Sequence, residues 1–216
     1  MQEFLKVTGI VIGVFPQGEY DRRITLLTRE CGKITAFVKG ARRQGSRFLG
    51  ITDLFCFGTF ELYVGKNSYN VQNAEITNYF EFLRTDLEAA YYGMYFLELS
   101  DYYALENNDE STLILLLYRA LQGLKSEVLS NPFVRTVFEL KLFMLEGEFI
   151  PLEKVGSFDA RVYSAIEHIQ NVKIEDLYRF RVEDETLNKL IEIAEYERKR
   201  LVDKKLPGLE ILKTMI

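Results

Sequence analysis

Residues 22–47 read RRITLLTRECGKITAFVKGARRQGSR. Ile34, Ala36 and Val38 alternate with Thr35, Phe37 and Lys39, the period-2 pattern of a strand with one buried face. The run before it, 22–29, is rich in Ile, Leu and Thr, and Cys31-Gly32 supplies a turn between the two. Working outward, 4–15 (FLKVTGIVIGVF), 55–64 (FCFGTFELYV) and 69–77 (YNVQNAEIT) have the same β-branched and aromatic texture. Gln17-Gly18, Gly40 to Gly45 and Gly65 to Ser68 punctuate them as turns. Five such strands predict a small closed barrel, with Gly9, Gly13 and Gly58 at its bends.

The texture changes near residue 80. One long helix is expected over 81–106, and a second over 111–126, apolar nearly all round and therefore central. Asn131-Pro132 opens a third, with a stripe of Val134, Val137, Phe138 and Leu145 before Gly147. A shorter helix covers about 159–170. Asp184 is expected to cap a helix over 185–203, whose stripe is Leu187, Leu190, Ile191, Ala194 and Leu201 and whose polar face holds Glu192, Glu195, Arg198 and Lys199. Pro207-Gly208 separates it from a short C-terminal helix. The expected fold class is α+β: residues 1–80 an OB-type barrel, residues 81–216 an all-α domain.

The chain has 216 residues, a net charge of −5 and near-average apolar content, which excludes a disordered or small disulfide-stapled protein. Apolar runs are too short to span a bilayer, and the N-terminus lacks the pattern of a signal peptide. Two cysteines, Cys31 and Cys56, outside any CxxC pair point to free thiols in a reducing, cytoplasmic setting. Residues 1–80 hold ten Lys+Arg against seven Asp+Glu, whereas 81–216 hold 17 against 25. Basic residues concentrate in 22–47, so a local nucleic-acid-binding face is expected despite the acidic total.

The loop 40–47, GARRQGSR, is the strongest local feature: glycines let backbone approach a ligand, and arginine forks suit phosphate oxygens. Arg22, Arg23, Lys33, Lys39, Arg42, Arg43 and Arg47 are the candidate DNA-binding residues. Phe37 and Phe48 either stack on bases or pack in the core. Tyr91, Tyr92, Tyr95, Phe96, Tyr102 and Tyr103 read as core with hydroxyls at its rim, or as a groove for a peptide. The run Arg198 to Arg200 with Lys204 and Lys205 either complements a helix dipole or forms a second contact to a nucleic-acid backbone. His168 is the only histidine, and no nucleophile, P-loop or metal-ligand motif is present, so an enzyme and a bound cofactor are not expected.

Several segments together resemble the RecO family of bacterial recombination mediators. They are Gly18-Glu19-Tyr20-Asp21-Arg22, Thr25-Leu26-Leu27-Thr28, Gly32-Lys33, Val38-Lys39-Gly40-Ala41-Arg42-Arg43 and Ser46-Arg47-Phe48. Glu61-Leu62-Tyr63, Asn73-Ala74-Glu75, Phe138-Glu139-Leu140-Lys141-Leu142, Gly147, Pro151 and Lys205-Leu206 follow in the same order. The resemblance implies an N-terminal OB fold, binding of single- and double-stranded DNA at the nucleoid, strand annealing, and loading of the RecA recombinase with the RecR protein. It also implies recognition of the acidic C-terminal tail of the single-stranded-DNA-binding protein, for which Arg119, Lys125 and Arg135 are the candidates here. Many members carry a four-cysteine zinc module after the Gly…Pro segment. Here 152–170 reads as a loop and a helix without cysteine, so no zinc is expected. The rival readings are an RNA-binding OB protein and a protein-interaction adaptor whose arginines meet an acidic partner.

Overall fold

A computed structural model describes residues 3–65, 68–150 and 158–215. Strands β1 (Glu3–Gln17), β2 (Asp21–Thr28), β3 (Gly32–Val38), β4 (Phe57–Val64) and β5 (Tyr69–Asn78) form a closed barrel in the order β1-β2-β3-β5-β4. The 15-residue β1 closes it by serving two neighbours. Its first half pairs antiparallel with β4 and its second half with β2. The strand changes partner at Gly9, where a Cβ would stand 2.6 Å from the Leu27 carbonyl oxygen. A parallel pairing, Ala36 with Tyr69 and Phe37 with Asn70, joins β3 to β5. This order is that of an OB fold.

The alternation read in β3 is the alternation found. Ile34, Ala36 and Val38 enter the barrel core with Val7, Val11, Ile24, Leu26, Phe60 and Leu62, while Thr35 and Lys39 are exposed and Phe37 is half-buried. Gly58 stands at a register shift between β4 and β5, with its Cα so close to β5 that a Cβ would fall 2.1 Å from the Glu75 carbonyl oxygen.

Six α-helices follow among the described residues: α1 (Leu87–Tyr103), α2 (Ser111–Gly123), α3 (Asn131–Leu145), α4 (Ala160–Asn171), α5 (Asp184–Leu201) and α6 (Pro207–Met215). The single helix expected over 81–106 is two elements. A 3₁₀ turn, Glu81–Arg84, ends at Thr85, and α1 restarts after Asp86, whose carboxylate accepts from the Ala89 N–H at 3.0 Å. Asp184 is the first residue of α5 rather than its cap. Glu183 precedes it and makes no cap bond; its carboxylate is 2.6 Å from Arg161. Pro207 opens α6, where its missing N–H costs nothing. Leu145, expected on the buried stripe of α3, is 42% exposed in that helix's last position. Pro151 and the loop expected from 152 lie outside the described residues; α4 begins at Ala160, after an Asp159 cap that accepts from the N–H groups of Arg161 and Val162.

Two compact units result: Met1–Thr85 with Leu97–Ile114, and Asp86–Phe96 with Leu115–Ile216. In the first, segment 97–114 covers the β2–β3 turn. The N–H of Lys33 donates to the Leu105 carbonyl at 2.8 Å, and that of Asn107 to the Cys31 carbonyl at 3.0 Å. In the second, the interior holds Tyr92, Tyr95, Phe96 and Phe138, with the Phe96 and Phe138 rings 4.6 Å apart. Of the aromatic cluster, Tyr92, Tyr95 and Phe96 are core, as the helical spacing suggests, while Tyr91, Tyr102 and Tyr103 are half-buried. Among the described residues no helix is long and apolar enough to cross a membrane.

Candidate nucleic-acid interface

Strand register fixes one row of side chains across the outside of the barrel. Phe15 on β1 faces Arg23 on β2, Arg23 faces Phe37 on β3, and Phe37 faces Asn70 on β5. Directly opposed residues share a face, so the row is continuous over four strands. Arg23 is exposed, and its guanidinium lies over the Phe15 ring at 4.7 Å from the centroid.

The loop from Gly40 is tied to this end of the barrel. The Asp21 carboxylate accepts from the Gly40 N–H at 2.7 Å, and the Tyr20 carbonyl accepts from the Arg42 N–H at 2.8 Å. Gly40 has φ +66, the left-handed region that glycine enters at little cost, and this turns the chain out of β3. Farther on, Arg47 donates to the Gln72 carbonyl of β5 at 2.7 Å. Lys39, Arg42, Arg43 and Arg47 are all exposed along this ledge. Arg43 lies over the Tyr20 ring at 5.2 Å and Arg47 over the Phe48 ring at 4.8 Å. A hydrogen bond with Glu19 raises the pKa of the Tyr20 hydroxyl, against the opposing pull of Arg43.

Two of the seven candidate cations are spent on the fold. Arg22 is half-buried and donates to Asp53 at 2.8 Å and to Thr52 at 3.2 Å, clamping the β3–β4 connection to β2. Lys33 lies at the opposite end of β3 and reaches Asp101, by a 3.2 Å ion pair and a 2.6 Å bond to its carbonyl. Of the other five, Arg42 and Arg47 meet backbone carbonyls, Arg23, Arg43 and Arg47 meet aromatic faces, and Lys39 is exposed; cationic donors of this kind are what a phosphate backbone takes. Phe15 and Tyr20 are the site residues the sequence reading missed. Their only signal was an aromatic on an outward strand position and one in a hairpin turn; their pairing with Arg23 and Arg43 needs the register.

The helical candidates fare differently. Lys125 is exposed, and Arg119 is half-buried with a 3.0 Å bond to Gln122. Arg135 is only 5% exposed; its Nε is 3.6 Å from the carboxylate of Glu139, so it is part of the interior and not of a rim. Arg198, expected on a polar face, is likewise buried and donates to Glu139 at 3.1 Å. Arg200 pairs with Glu197. Glu139 of α3 thus draws Arg198 inward, while Arg200 stays exposed beside Glu197 of its own helix.

A four-thiolate zinc site does not fit this chain. Its two cysteines are both in the barrel unit; Cys56 is fully buried with its thiol on the Gly50 carbonyl, and Cys31 is half-buried. Among the described residues no three His, Cys, Asp or Glu side chains are placed to hold a metal ion.

Comparison with known proteins gives matches over both the strand-rich and the helical parts of the chain. A family model described as Recombination protein O N terminal matches residues 1–80, and one described as Recombination protein O C terminal matches 84–157. The DNA repair protein RecO of Acetivibrio thermocellus is 29% identical, over 98% of this chain and 97% of that protein. That of Clostridium perfringens strain 13 is 24% identical over 95% and 96%, and that of Alkaliphilus metalliredigens 34% identical over 66% and 58%. The barrel spans the first match, the helices begin with the second, and the alignments with the Acetivibrio and C. perfringens strain 13 proteins run nearly end to end, so the chain belongs to the RecO family of DNA repair proteins.

Proposed function

We propose that the chain is a recombination mediator that acts by binding and not by catalytic turnover. It holds single- and double-stranded DNA on the outer barrel face through Arg23, Lys39, Arg42, Arg43 and Arg47, and promotes annealing of complementary strands. With the RecR protein it helps load the RecA recombinase at the nucleoid in the cytoplasm. The acidic tail of the single-stranded-DNA-binding protein docks on the helical unit, with Arg119 and Lys125 as its cationic contacts.

The observation that carries this reading is the set of five exposed cations at one end of an OB barrel, none of them paired with a carboxylate among the described residues. Phosphate contact of this kind is independent of sequence, as annealing any complementary pair requires. Neutralised backbones then approach one another while base edges stay open to pairing.

Fluorescence anisotropy with a short single strand across a salt series tests it. Five phosphate contacts give a log–log slope of about −3.5, from about −0.7 per contact. An Arg42→Ala, Arg43→Ala, Arg47→Ala variant falls to about −1.4 by the same rule. An unchanged slope moves the site off this ledge. A strong preference for RNA of the same sequence favours an RNA-binding protein, and no binding at low salt favours an adaptor for an acidic partner.

A further inference from the structure

Three arginines of the barrel face rest on aromatic rings: Arg23 on Phe15, Arg43 on Tyr20 and Arg47 on Phe48. The arrangement recurs on a strand, in the hairpin turn and in the loop, so it is a property of the face and not of one local structure. Phe15 and Tyr20 are each 44% exposed despite their covers, and neither belongs to the barrel core. Folding therefore does not account for their being aromatic. A guanidinium plane lies flat on a ring and leaves its edge donors pointing outward.

We infer that Phe15 and Tyr20 are stacking platforms for unpaired bases and that Arg23 and Arg43 are their exchangeable covers; Phe48, half-buried against the barrel core, is accounted for by folding. When a strand arrives, a base takes the ring face, and the displaced guanidinium turns to the adjacent phosphate. Each ring then has a partner on its face in both states, a cation when free and a base when bound. This rests on the DNA-binding reading above and adds the form of the strand. Phe37, half-buried in the same row, is a further ring: it and Phe15 flank Arg23 on strands two apart, roughly 10 Å at the usual inter-strand spacing. Bases in a stacked helix rise about 3.4 Å each. Rings so far apart serve bases that have been splayed, not neighbours within a duplex. The rings thereby make the face specific for single strands, while the arginines alone serve a duplex backbone.

The test is a Phe15→Leu, Tyr20→Leu double variant, at two exposed positions that leave the core intact, with its fold checked by circular dichroism. Probes are an oligo-dT strand, an abasic strand of the same length and a blunt duplex. Binding to oligo-dT weakens by roughly fivefold or more per ring, with the salt slope unchanged. Affinities for the abasic strand and the duplex stay within about twofold of wild type. Equal loss on the abasic strand overturns the inference, because the rings then only support the loop. Full retention of oligo-dT affinity overturns it as well, leaving the phosphate reading standing. Failure of the wild-type chain to bind any probe at low salt overturns both.

Discussion

Glu139 is fully buried, yet Tyr95, Arg135 and Arg198 all turn toward it. One carboxylate thus compensates two buried guanidinium groups, drawn from α3 and α5. Removing one partner of such a cluster is costly because it strands the others without water. Glu139→Ala is expected to lose roughly 3–5 kcal/mol in urea unfolding. Replacing Glu139, Arg135 and Arg198 together by Leu, Met and Met recovers most of that loss; failure to recover would place the cost in packing instead of charge. Cys56 gives a pH dependence. Burial first, then the nearby Asp53, pushes its thiol up to about 11 from 9.0. A raised pKa in the folded state means that the unfolded chain gives up this proton first. The stabilisation is fully present below pH 9 and is lost as pH rises through about 11. Stability of wild type should fall over that window by roughly 2–3 kcal/mol more than that of Cys56→Ala. Parallel curves for the two proteins would show that the thiol is not the cause.

At the scale of elements, α4 shows how a short helix is fixed at both ends. Asp159 caps its start, and Lys141 of α3 caps its end, donating to the carbonyls of Ile169, Gln170 and Val172 at 2.8, 2.9 and 3.0 Å. The last carbonyls of a helix have no partner within it, so a buried ammonium with three donors meets them well. Burial holds the Lys141 pKa below its ordinary value, but the amine has only carbonyls to serve and gains nothing by losing its proton there. Lys141→Met is expected to cost about 2–3 kcal/mol and to speed hydrogen exchange selectively in 165–172. Uniform exchange across the helical unit would instead mean that Lys141 matters to packing generally. In the barrel, Gly58→Ala and Gly32→Ala should both be damaging, since no side-chain rotation relieves a clash with a backbone carbonyl 2.1 Å away, and Gly32 adds a φ of +64.

The whole molecule distributes charge differently from its sequence. Residues 1–80 are net basic, yet the compact barrel unit holds 11 Lys+Arg against 13 Asp+Glu, because segment 97–114 adds Glu98, Asp101, Glu106, Asp109 and Glu110. The unit is therefore not basic but polarised. Its acidic segment covers the β2–β3 turn, and its arginine ledge begins at the other end of β3, about 20 Å away along a seven-residue strand. Such a gradient orients a polyanion before contact and keeps it off the covered end. A Glu106→Gln, Asp109→Asn variant, which preserves an amide cap for Ser111, should associate with a single strand about two- to threefold faster at low salt. The advantage should vanish near 1 M salt, where the Debye length is about 3 Å. An advantage that persists at high salt would point to a contact instead of a field.

Strand count, strand order of appearance and the outward position of Lys39 were legible in the sequence, because period-2 alternation between a barrel core and solvent is a local signal. Helix existence was legible for the same kind of reason, as were the core roles of Val134, Val137, Phe138, Tyr92, Tyr95 and Phe96. Charge pairing was not. Arg22 and Lys33 look like their neighbours on a list of cations, and only the fold brings Asp53 and Asp101 to them. Arg198 sits in a sequence that reads as a polar face and Arg135 reads as a contact for an acidic tail, and only helix packing sets them on Glu139, 59 positions before Arg198. The arginine-covered rings are likewise a matter of register, since Phe15 and Arg23 become neighbours only when β1 and β2 pair. The sequence determined which segments form strands and helices, through periodicity that each segment carries by itself. The tertiary structure decided which charges face water, because an ion's partner is chosen by distance in space and not along the chain.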